Sequence, residues 1–286
     1  MAYIMKGSAV VASMKESILQ EVGKLEQKGI YPCMVMVRCG SQPDDISYEN
    51  GARKRFASLN IILKTIELPE SVDQATFIQQ LHRLNGDPSV HGILLLRPLP
   101  SQISEYDVKY EIDHKKDVDC MNPVNIAKVF EGDESGYCPG TPEAVLQMLH
   151  FYNIPLSGKR VAVIGRSLVV GRTLAMMLLK ENATVTICHT KTPDLGQAIK
   201  GADIIISSVG KAKMITKDMV SPRQIIIDVG INLDENGKLC GDVDFAQVEP
   251  IVDKITPVPG GIGTVTTSCI AEHVVHAARL MLNPQQ

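Results

Sequence analysis

The chain has 286 residues, enough for two domains of ordinary size, and with 44% hydrophobic and 21% charged residues it has the composition of a soluble globular protein. Its net charge of −3 argues against nucleic acid or an anionic membrane as a partner. No apolar run approaches the roughly 20 residues of a membrane span, and residues 1–8 lack the apolar core of a signal peptide. The seven cysteines are scattered without a Cys-x-x-Cys pair, so we expect reduced thiols and a cytoplasmic location.

Predicted helices and strands alternate through the first half of the chain. Helices are predicted at residues 8–28, from Pro43 onward and at 71–84, and strands at 33–38, 61–68 and 91–96. A polar connection is expected at 113–122. Strands that alternate with helices indicate a parallel α/β sheet.

The second half continues the same alternation. A helix is predicted at residues 142–152, strands at 160–164, 184–188, 202–207, 224–229 and 254–256, and a final helix at 266–282. The loop at 257–263 is rich in proline and glycine and can redirect the chain before that helix.

The clearest motif lies at residues 159–190. An apolar strand ends at Gly165, Val170 and Leu174 recur at helical spacing, and a second strand follows, which is the length of a βαβ nucleotide-binding half. Gly165 and Gly171 would let the backbone approach a pyrophosphate at the helix N-terminus. Their spacing is wider than Gly-x-Gly-x-x-Gly, so a tight turn without a ligand remains an alternative.

The residues around this motif favour NADP over NAD. An NAD site places an acid after the second strand to hold the ribose 2′-hydroxyl, whereas this chain has Cys188, His189, Thr190, Lys191 and Thr192. Cations and hydroxyls suit a 2′-phosphate, and the first turn supplies them as arginine and serine at 166 and 167. The alternative is that these cations are solvated surface charges.

Ligands of open parallel sheets bind beyond the carboxyl ends of the strands. The residues that follow strands here are Tyr48, Arg97, Gly165, His189, Gly210 and Gly230. A cleft between two α/β units is therefore the default site. His273 and His276 share a face of the last helix without an evident third ligand, so no metal site is predicted.

Seven motifs in order extend this interpretation. They are Arg-Pro-Leu-Pro at 97–100, Lys-Asp-Val-Asp at 116–119, Thr-Pro at 141–142, Gly-Arg-Ser-Leu-Val-Val-Gly at 165–171, Ile-Asp-Val-Gly-Ile-Asn at 227–232, Gly-Asp-Val-Asp at 241–244 and Thr-Pro-Val-Pro-Gly-Gly-Ile-Gly at 256–263. Over essentially the whole chain, they resemble the methylenetetrahydrofolate dehydrogenase/methenyltetrahydrofolate cyclohydrolase family, the bifunctional FolD proteins.

The resemblance implies a homodimer of two-domain α/β protomers with a cleft between the domains. Residues 1–139 with 266–286 would form the folate-binding catalytic domain, and residues 140–265 the Rossmann-like NADP-binding domain. The implied reaction oxidises 5,10-methylenetetrahydrofolate to 5,10-methenyltetrahydrofolate with NADP, in one-carbon folate metabolism. The same cleft usually hydrolyses the product to 10-formyltetrahydrofolate.

The resemblance also implies which residues act. Tyr48 and Asp119 would be catalytic, and they would bind substrate together with Pro98, Leu99, Gly260 and Gly261. NADP would contact Gly165, Arg166, Ser167, Gly171, His189, Thr190, Gly210, Gly230 and Ile231. A carboxylate such as Asp119 can accept two adjacent pterin N–H groups, and Tyr48 offers an aromatic face and a hydroxyl. The alternatives are a capping loop acid for Asp119 and a half-buried helix residue for Tyr48.

Three positions depart from the family's cleft pattern. Asp45 stands where the family has serine, Ala52 where it has lysine, and Leu96 where it has the glutamine that contacts that lysine. A lysine with a lowered pKa can activate water, whereas hydride transfer mainly needs aligned rings. We therefore expect a dehydrogenase with little cyclohydrolase activity. The alternatives are a fully bifunctional enzyme in which Lys54, Arg55 or Arg97 substitutes, and a folate- or NADP-binding protein without turnover.

Overall fold

The computed structural model describes residues 1–282. The α-helices of these residues are α1 Gly7–Glu26, α2 Pro43–Ala57, α3 Gln74–Gly86, α4 Glu105–Glu111, α5 Pro123–Glu131, α6 Gly140–Phe151, α7 Thr173–Lys180, α8 Leu195–Ile199, α9 Phe245–Val248 and α10 Ile262–Leu282. A π-helical turn at Leu168–Arg172 precedes α7, and a 3₁₀ turn lies at Lys217–Met219. None of the helices in this part of the chain is long and apolar enough to cross a membrane.

The strands of the described residues form three sheets. They are β1 Tyr3–Ile4, β2 Cys33–Cys39, β3 Ile62–Leu68, β4 Gly92–Leu95, β5 Arg160–Ile164, β6 Thr184–Cys188, β7 Ile204–Ser207, β8 Ile225–Asp228, β9 Asn232–Leu233, β10 Leu239–Cys240 and β11 Lys254–Ile255. One parallel sheet has the order β1-β11-β8-β7-β5-β6, a second has β3-β2-β4, and β9 and β10 form an antiparallel pair. The predicted α/β class is confirmed.

The chain divides into two compact units. The six-stranded unit comprises residues 1–13 and 139–266. The three-stranded unit comprises residues 14–138 together with the described residues from 267 to 282. The prediction that residues 1–13 belong to the folate-binding domain is wrong. These residues belong to the six-stranded unit because β1 pairs in parallel with β11, and the Tyr3 N–H donates to the Asp253 carbonyl at 2.8 Å. A two-residue strand has no periodic pattern to detect. The last four residues, also assigned to that domain, lie outside the described residues.

The three-stranded unit is organised around β2, which is buried along its whole length. Phe77 and Leu81 of α3 pack on it in a core shared with Ile93 and Leu95 of β4. Beyond β4, the chain returns beside the sheet, and the Ile93 N–H donates to the Lys116 carbonyl at 2.7 Å. The carboxyl ends of β2 and β4 and the loop after residue 117 therefore lie side by side.

The six-stranded unit has an aliphatic core on its central strands β5, β7 and β8. The bounds of β5 and β6 match the prediction, and the helix after Gly165 begins as the π-helical turn. Two short helices of the other unit, α4 and α5, were not predicted. β6 is an edge strand with most of its side chains exposed, because only β5 pairs with it.

Candidate active site

The turn after β5 is built from backbone in close contact. Gly165 has φ of 123°, and a Cβ there would lie 2.6 Å from the Ser208 carbonyl oxygen. A Cβ on Gly171 would overlap the Gly165 carbonyl oxygen, because the π-helical turn packs directly on the strand end. Both glycines are therefore required by sterics. The close packing leaves the first N–H groups of the helical segment at the strand end, where they can bind an anion.

Arg166 and Ser167, which the sequence analysis assigns to the cofactor site, lie exposed on this turn. The Ser167 hydroxyl accepts the Val170 N–H at 3.1 Å and caps the π-helical turn. The Ser167 hydroxyl can still donate its own proton to a phosphate. The Arg166 guanidinium supplies a positive charge at this turn.

The residues after β6 form a tight polar turn. The His189 N–H donates to the Thr192 hydroxyl at 2.9 Å, and the Lys191 N–H donates to His189 Nδ1 at 3.0 Å. Because Nδ1 accepts this hydrogen bond, Nε2 is the ring nitrogen that can donate. Thr190 is exposed beside it, and Gly210, after β7, is exposed with φ of 67°. These residues all follow strands of the same sheet.

Two buried carboxylates organise the loops after β7 and β8, and sequence reasoning quoted their motifs without assigning them a role. Asp242 accepts hydrogen bonds from Ser207 Oγ, Val209 N, Lys211 N and Asn232 Nδ2 at 2.8–3.0 Å. Asp228 accepts from the backbone N–H groups of Gly230, Asp242 and Val243 at 2.9–3.0 Å. Burial, with the Asp242 charge in addition, raises the pKa of Asp228 to about 6.

These carboxylates fill the space next to two glycines. A Cβ on Gly230 would overlap the Asp242 carboxylate, and a Cβ on Gly241 would overlap that of Asp228. Gly230 and Ile231 line a pocket with the 257–264 loop, which includes Gly260 and Gly261. The structure thus brings two predicted cofactor residues and two predicted substrate residues to one pocket of the six-stranded unit.

Tyr48 and Asp119 lie close together in the three-stranded unit. Tyr48 is half-buried on α2, and burial raises the pKa of its hydroxyl, with the Asp119 carboxylate raising it further. A side-chain hydrogen bond with Thr267 of α10 lowers it in part. The hydroxyl is therefore a protonated donor beside a carboxylate.

Asp119 forms an ion pair with Arg97, with 3.6 Å between Asp119 Oδ2 and Arg97 Nη2 and 26% of each side chain exposed. The loop that carries Asp119 is fixed by the buried Asp117, whose carboxylate accepts the Met121 and Asn122 N–H groups at 2.9 and 2.8 Å. Arg97 opens the turn after β4.

The next two residues of that turn were both predicted to bind substrate. Pro98 follows Arg97 through a cis peptide bond and is exposed. Leu99 has its side chain in the core of the unit. The Leu99 N–H also donates to Glu105 Oε1, at 3.1 Å.

The three altered positions differ in character. Ala52 is 1% exposed and Leu96 9% exposed, so neither places a polar side chain at the sheet edge. Asp45 is half-buried in the first turn of α2, and burial raises the pKa of its carboxyl. Of the cations considered as substitutes for lysine, Lys54 is exposed and Arg55 half-buried. The third, Arg97, is the one ion-paired with Asp119.

Comparisons with known proteins identify the family. Residues 139–282 match the NAD(P)-binding domain of tetrahydrofolate dehydrogenase/cyclohydrolase, and residues 5–119 match its catalytic domain. The chain belongs to this family. It is 48% identical over 280 residues to a protein of Clostridioides difficile named bifunctional protein FolD, covering 98% of both chains.

Solved structures of family members have the same fold as this chain. A bifunctional FolD enzyme of Campylobacter jejuni superposes with a TM-score of 0.95 at 38% identity, covering 98% of this chain and 99% of that one. A Trypanosoma brucei FolD complexed with NADP and an inhibitor gives 0.93 at 31% identity, covering 99% of both. The predicted family and tetrahydrofolate dehydrogenase class are confirmed. The relatives' names favour the bifunctional alternative over the expected loss of cyclohydrolase activity.

This family member carries a charge network around the buried Arg38 and Glu49 that sequence reasoning missed. Arg38, the penultimate residue of β2, donates to Glu49 of α2 at 3.0 Å and to Glu67 of β3 at 2.7 Å. Glu49 also accepts from Arg53 and from the Thr65 hydroxyl, each at 2.7 Å. The network ties α2, and with it Tyr48, to the carboxyl end of the sheet. The strand patterns of β2 and β3 did not indicate that their charged residues would pair with α2.

Proposed function

We propose that the chain oxidises 5,10-methylenetetrahydrofolate to 5,10-methenyltetrahydrofolate with NADP and hydrolyses the product to 10-formyltetrahydrofolate. The observation that carries this proposal is the Asp119 carboxylate beside the Tyr48 hydroxyl, in the part of the chain matched by the family's catalytic domain. Both groups lie at the carboxyl edge of a parallel sheet, where such folds bind ligands.

Asp119 and Tyr48 would hold the pterin. The carboxylate accepts adjacent N–H groups of the ring, and the charge-assisted pair fixes the orientation of the ring. Arg97 pairs with the same carboxylate at 3.6 Å. Tyr48 supplies a ring face and a protonated hydroxyl. Pro98, Gly260 and Gly261 would complete the contacts to the substrate.

NADP fits the six-stranded unit. The contacts around Gly165 and Gly171 leave no room for a Cβ, so backbone N–H groups can approach a pyrophosphate directly. Arg166 and Ser167 would hold the 2′-phosphate, and His189, Thr190, Gly210, Gly230 and Ile231 would line the rest of the site. Bound NADP supplies the acceptor for the hydride. The Trypanosoma brucei relative contains NADP, which supports the choice of cofactor.

Hydrolysis of the methenyl product must proceed without the lysine that the family has at the position of Ala52. Arg97 can stabilise negative charge near Asp119 but hardly ever deprotonates, so it cannot act as a base. The second candidate function is a dehydrogenase without cyclohydrolase activity, which the apolar Ala52 and Leu96 favour. The names of the relatives favour both activities.

One experiment separates these candidates. The pure protein is incubated with methylenetetrahydrofolate and NADP, and NADPH, methenyl- and formyl-folate are followed separately, with the uncatalysed hydrolysis subtracted. Formyl-folate that forms as fast as NADPH supports both activities. Methenyl-folate that accumulates at the uncatalysed limit supports the dehydrogenase alone, and absence of NADPH refutes both. Asp119→Asn should lower oxidation.

A homodimer through β6 is part of the proposal. β6 is an uncharged edge strand with an exposed Ile187, and Leu179 of α7 is exposed as well. The edge strand of the other large sheet, β3, carries Lys64 and Glu67, charges that protect an edge from pairing. Ile187→Lys should therefore shift the mass in light scattering from dimer to monomer. Ile62→Lys, on β3, should leave it unchanged, and the reverse result would contradict the assignment.

A further inference from the structure

The Asp242 carboxylate is shared between the loop that follows β7 and the loop that follows β8. Its Oδ2 accepts the Ser207 hydroxyl and the Val209 N–H at 3.0 and 2.8 Å. Its Oδ1 accepts the Lys211 N–H and Asn232 Nδ2 at 2.9 and 3.0 Å. Asp242 is fully buried, so it does not itself reach a ligand at the surface. One buried carboxylate therefore joins the two loops.

The groups that this carboxylate holds are the neighbours of two residues assigned to the NADP site. Gly210 lies between the two residues of the first loop whose N–H groups donate to Asp242, and it is exposed with φ of 67°. Ile231 directly precedes Asn232 in the second loop, and 67% of Ile231 is exposed. The positions of Gly210 and Ile231 therefore depend on hydrogen bonds to a residue that lies beneath both of them.

The Asp242 backbone is fixed from outside these two loops. Its N–H donates to the carboxylate of Asp228, the last residue of β8, at 3.0 Å. Its carbonyl accepts from the N–H of Ile215, a residue of the core, at 2.9 Å. Because its own backbone is held in this way, the carboxylate sets where the loops lie relative to the ends of the strands.

The strand order assigns the two loops to one half of the cofactor. The strands lie in the order β8-β7-β5-β6 and are parallel, so their carboxyl ends meet at one edge of the sheet. In a unit of this kind the pyrophosphate binds at the turn after the first strand, here β5, and the ribose of the adenosine half binds after the second strand, here β6. β7 and β8 lie on the other side of β5, so their loops face the nicotinamide half.

We propose that Asp242 is a positioning residue for the nicotinamide half of NADP, acting through the loops that carry Gly210 and Ile231. This inference rests on the proposed NADP site. Asparagine at 242 would keep the shape of the side chain but replace one acceptor oxygen by an N–H donor group. Whichever way that amide is turned, it faces the N–H of either Val209 or Lys211 with another donor. The loop around Gly210 then shifts, while the adenosine end of the site at β6 stays in place.

The test compares NADP with adenosine 2′,5′-bisphosphate, which contains the adenosine half of the cofactor without the nicotinamide. Asp242→Asn should weaken NADP binding in calorimetry by about tenfold, a usual cost of a buried N–H left without its acceptor. The affinity for the bisphosphate should stay unchanged. The matched control is Asp244→Asn, which changes the second acid of the same motif. Asp244 caps α9 and accepts from Gln247, so this variant should bind both ligands normally.

Turnover gives a second measure of the position of the nicotinamide. With Asp242→Asn and saturating NADP, kcat for oxidation of methylenetetrahydrofolate should fall by up to about 10²-fold, because hydride transfer requires aligned rings. The KM for the folate should stay unchanged. A variant that was merely less stable would lose affinity for NADP and for the bisphosphate alike.

Three outcomes contradict the proposal. Equal losses for NADP and the bisphosphate, or no loss for either, overturn the role of Asp242. If Asp242→Asn does not fold, Asn232→Ala decides, because it removes one donor to the carboxylate from a half-buried residue. It should weaken the binding of NADP but not of the bisphosphate, and unchanged NADP binding overturns the role. An unchanged protein that binds neither ligand overturns the proposed NADP site as well.

Discussion

The turn after β5 and the face of α2 both follow the carboxyl end of a parallel strand, but they are built in different ways. The turn is built from backbone: the space around Gly165 and Gly171 excludes any side chain. The α2 face is built from side chains: Tyr48, Asp45 and Ala52 project from a helix that Arg38 and Glu49 tie to the sheet. A backbone site allows few replacements, because a single Cβ destroys it. A side-chain site can exchange its polar groups while its helix stays in place.

The largest effect is expected from a Cβ in the backbone site. Gly171→Ala would drive a methyl group into the Gly165 carbonyl oxygen, and the neighbouring atom is backbone that cannot rotate away. We expect NADP binding, measured by calorimetry, to weaken by more than about 10²-fold, with a lower melting temperature. Gly201→Ala is the control, because its nearest neighbour is the flexible Arg160 guanidinium at 3.7 Å. Normal NADP binding by Gly171→Ala would contradict the steric argument.

The second prediction exchanges groups on the side-chain site. For the second candidate function, a dehydrogenase without cyclohydrolase activity, Ala52→Lys with Leu96→Gln should raise hydrolysis relative to oxidation by about 10²-fold, since general acid–base catalysis contributes roughly 10²–10⁴-fold. Ala52→Lys alone should raise it less, because the lysine would enter a wall that is apolar at Leu96. The ratio of formyl-folate to NADPH formed by each variant measures this. A single variant that matches the double one would show that Leu96 does not matter.

The same contrast explains what could be predicted from the sequence. The bounds of β5 and the glycine turn after it were predictable, because a buried parallel strand has a continuous apolar run and a required glycine interrupts it. The exposed strand β6 was predictable because four of its five residues are β-branched. The helix α5 was missed although Asn122 caps it and Pro123 is its first residue. The helix is only nine residues long, but the Asn-Pro pair was a usable signal.

The networks behind the sites could not be predicted in the same way. Arg38 and Glu49 are eleven residues apart on a strand and a helix, and their pairing depends on how α2 packs on the sheet. Asp228 and Asp242 belong to motifs visible in the sequence, but a motif does not show that each carboxylate fills the space beside a glycine of the other loop. Side-chain pairing across elements is a property of packing, and local patterns do not record it.

The third prediction concerns that carboxylate pair. Asp228 has a pKa of about 6 in the folded chain against 3.8 for the ordinary group, so folding takes up a proton between these values. Its stabilising contribution is complete below pH 3.8 and is lost as the pH rises through 6. Since one pKa unit corresponds to about 1.4 kcal/mol, the loss is at most about 3 kcal/mol.

Urea unfolding of the unchanged chain and of Asp228→Asn at pH 4, 5, 6 and 7 measures this effect. The difference in unfolding free energy between the two proteins should shrink as the pH rises over that interval. Asp218→Asn, which removes an exposed carboxylate of the same unit, is the control. A difference that grows with pH would mean that the backbone donors around Asp228 outweigh its burial.

The smallest effect is expected where the backbone site uses a side chain. Arg166 is exposed on the glycine turn, and no acid follows β6, so its guanidinium is suited to the 2′-phosphate of NADP. A charge-assisted hydrogen bond contributes roughly 1.5–3 kcal/mol, and Arg166→Ala should therefore weaken NADP binding about tenfold or more. NAD lacks the 2′-phosphate, so its affinity should hardly change. Arg83→Ala, an exposed arginine on α3, controls for loss of a surface charge. Calorimetric titration with NADP and with NAD measures both affinities. Equal losses of affinity for the two dinucleotides would place Arg166 at the pyrophosphate that they share. The turn would then bind phosphate through this side chain as well as through its backbone.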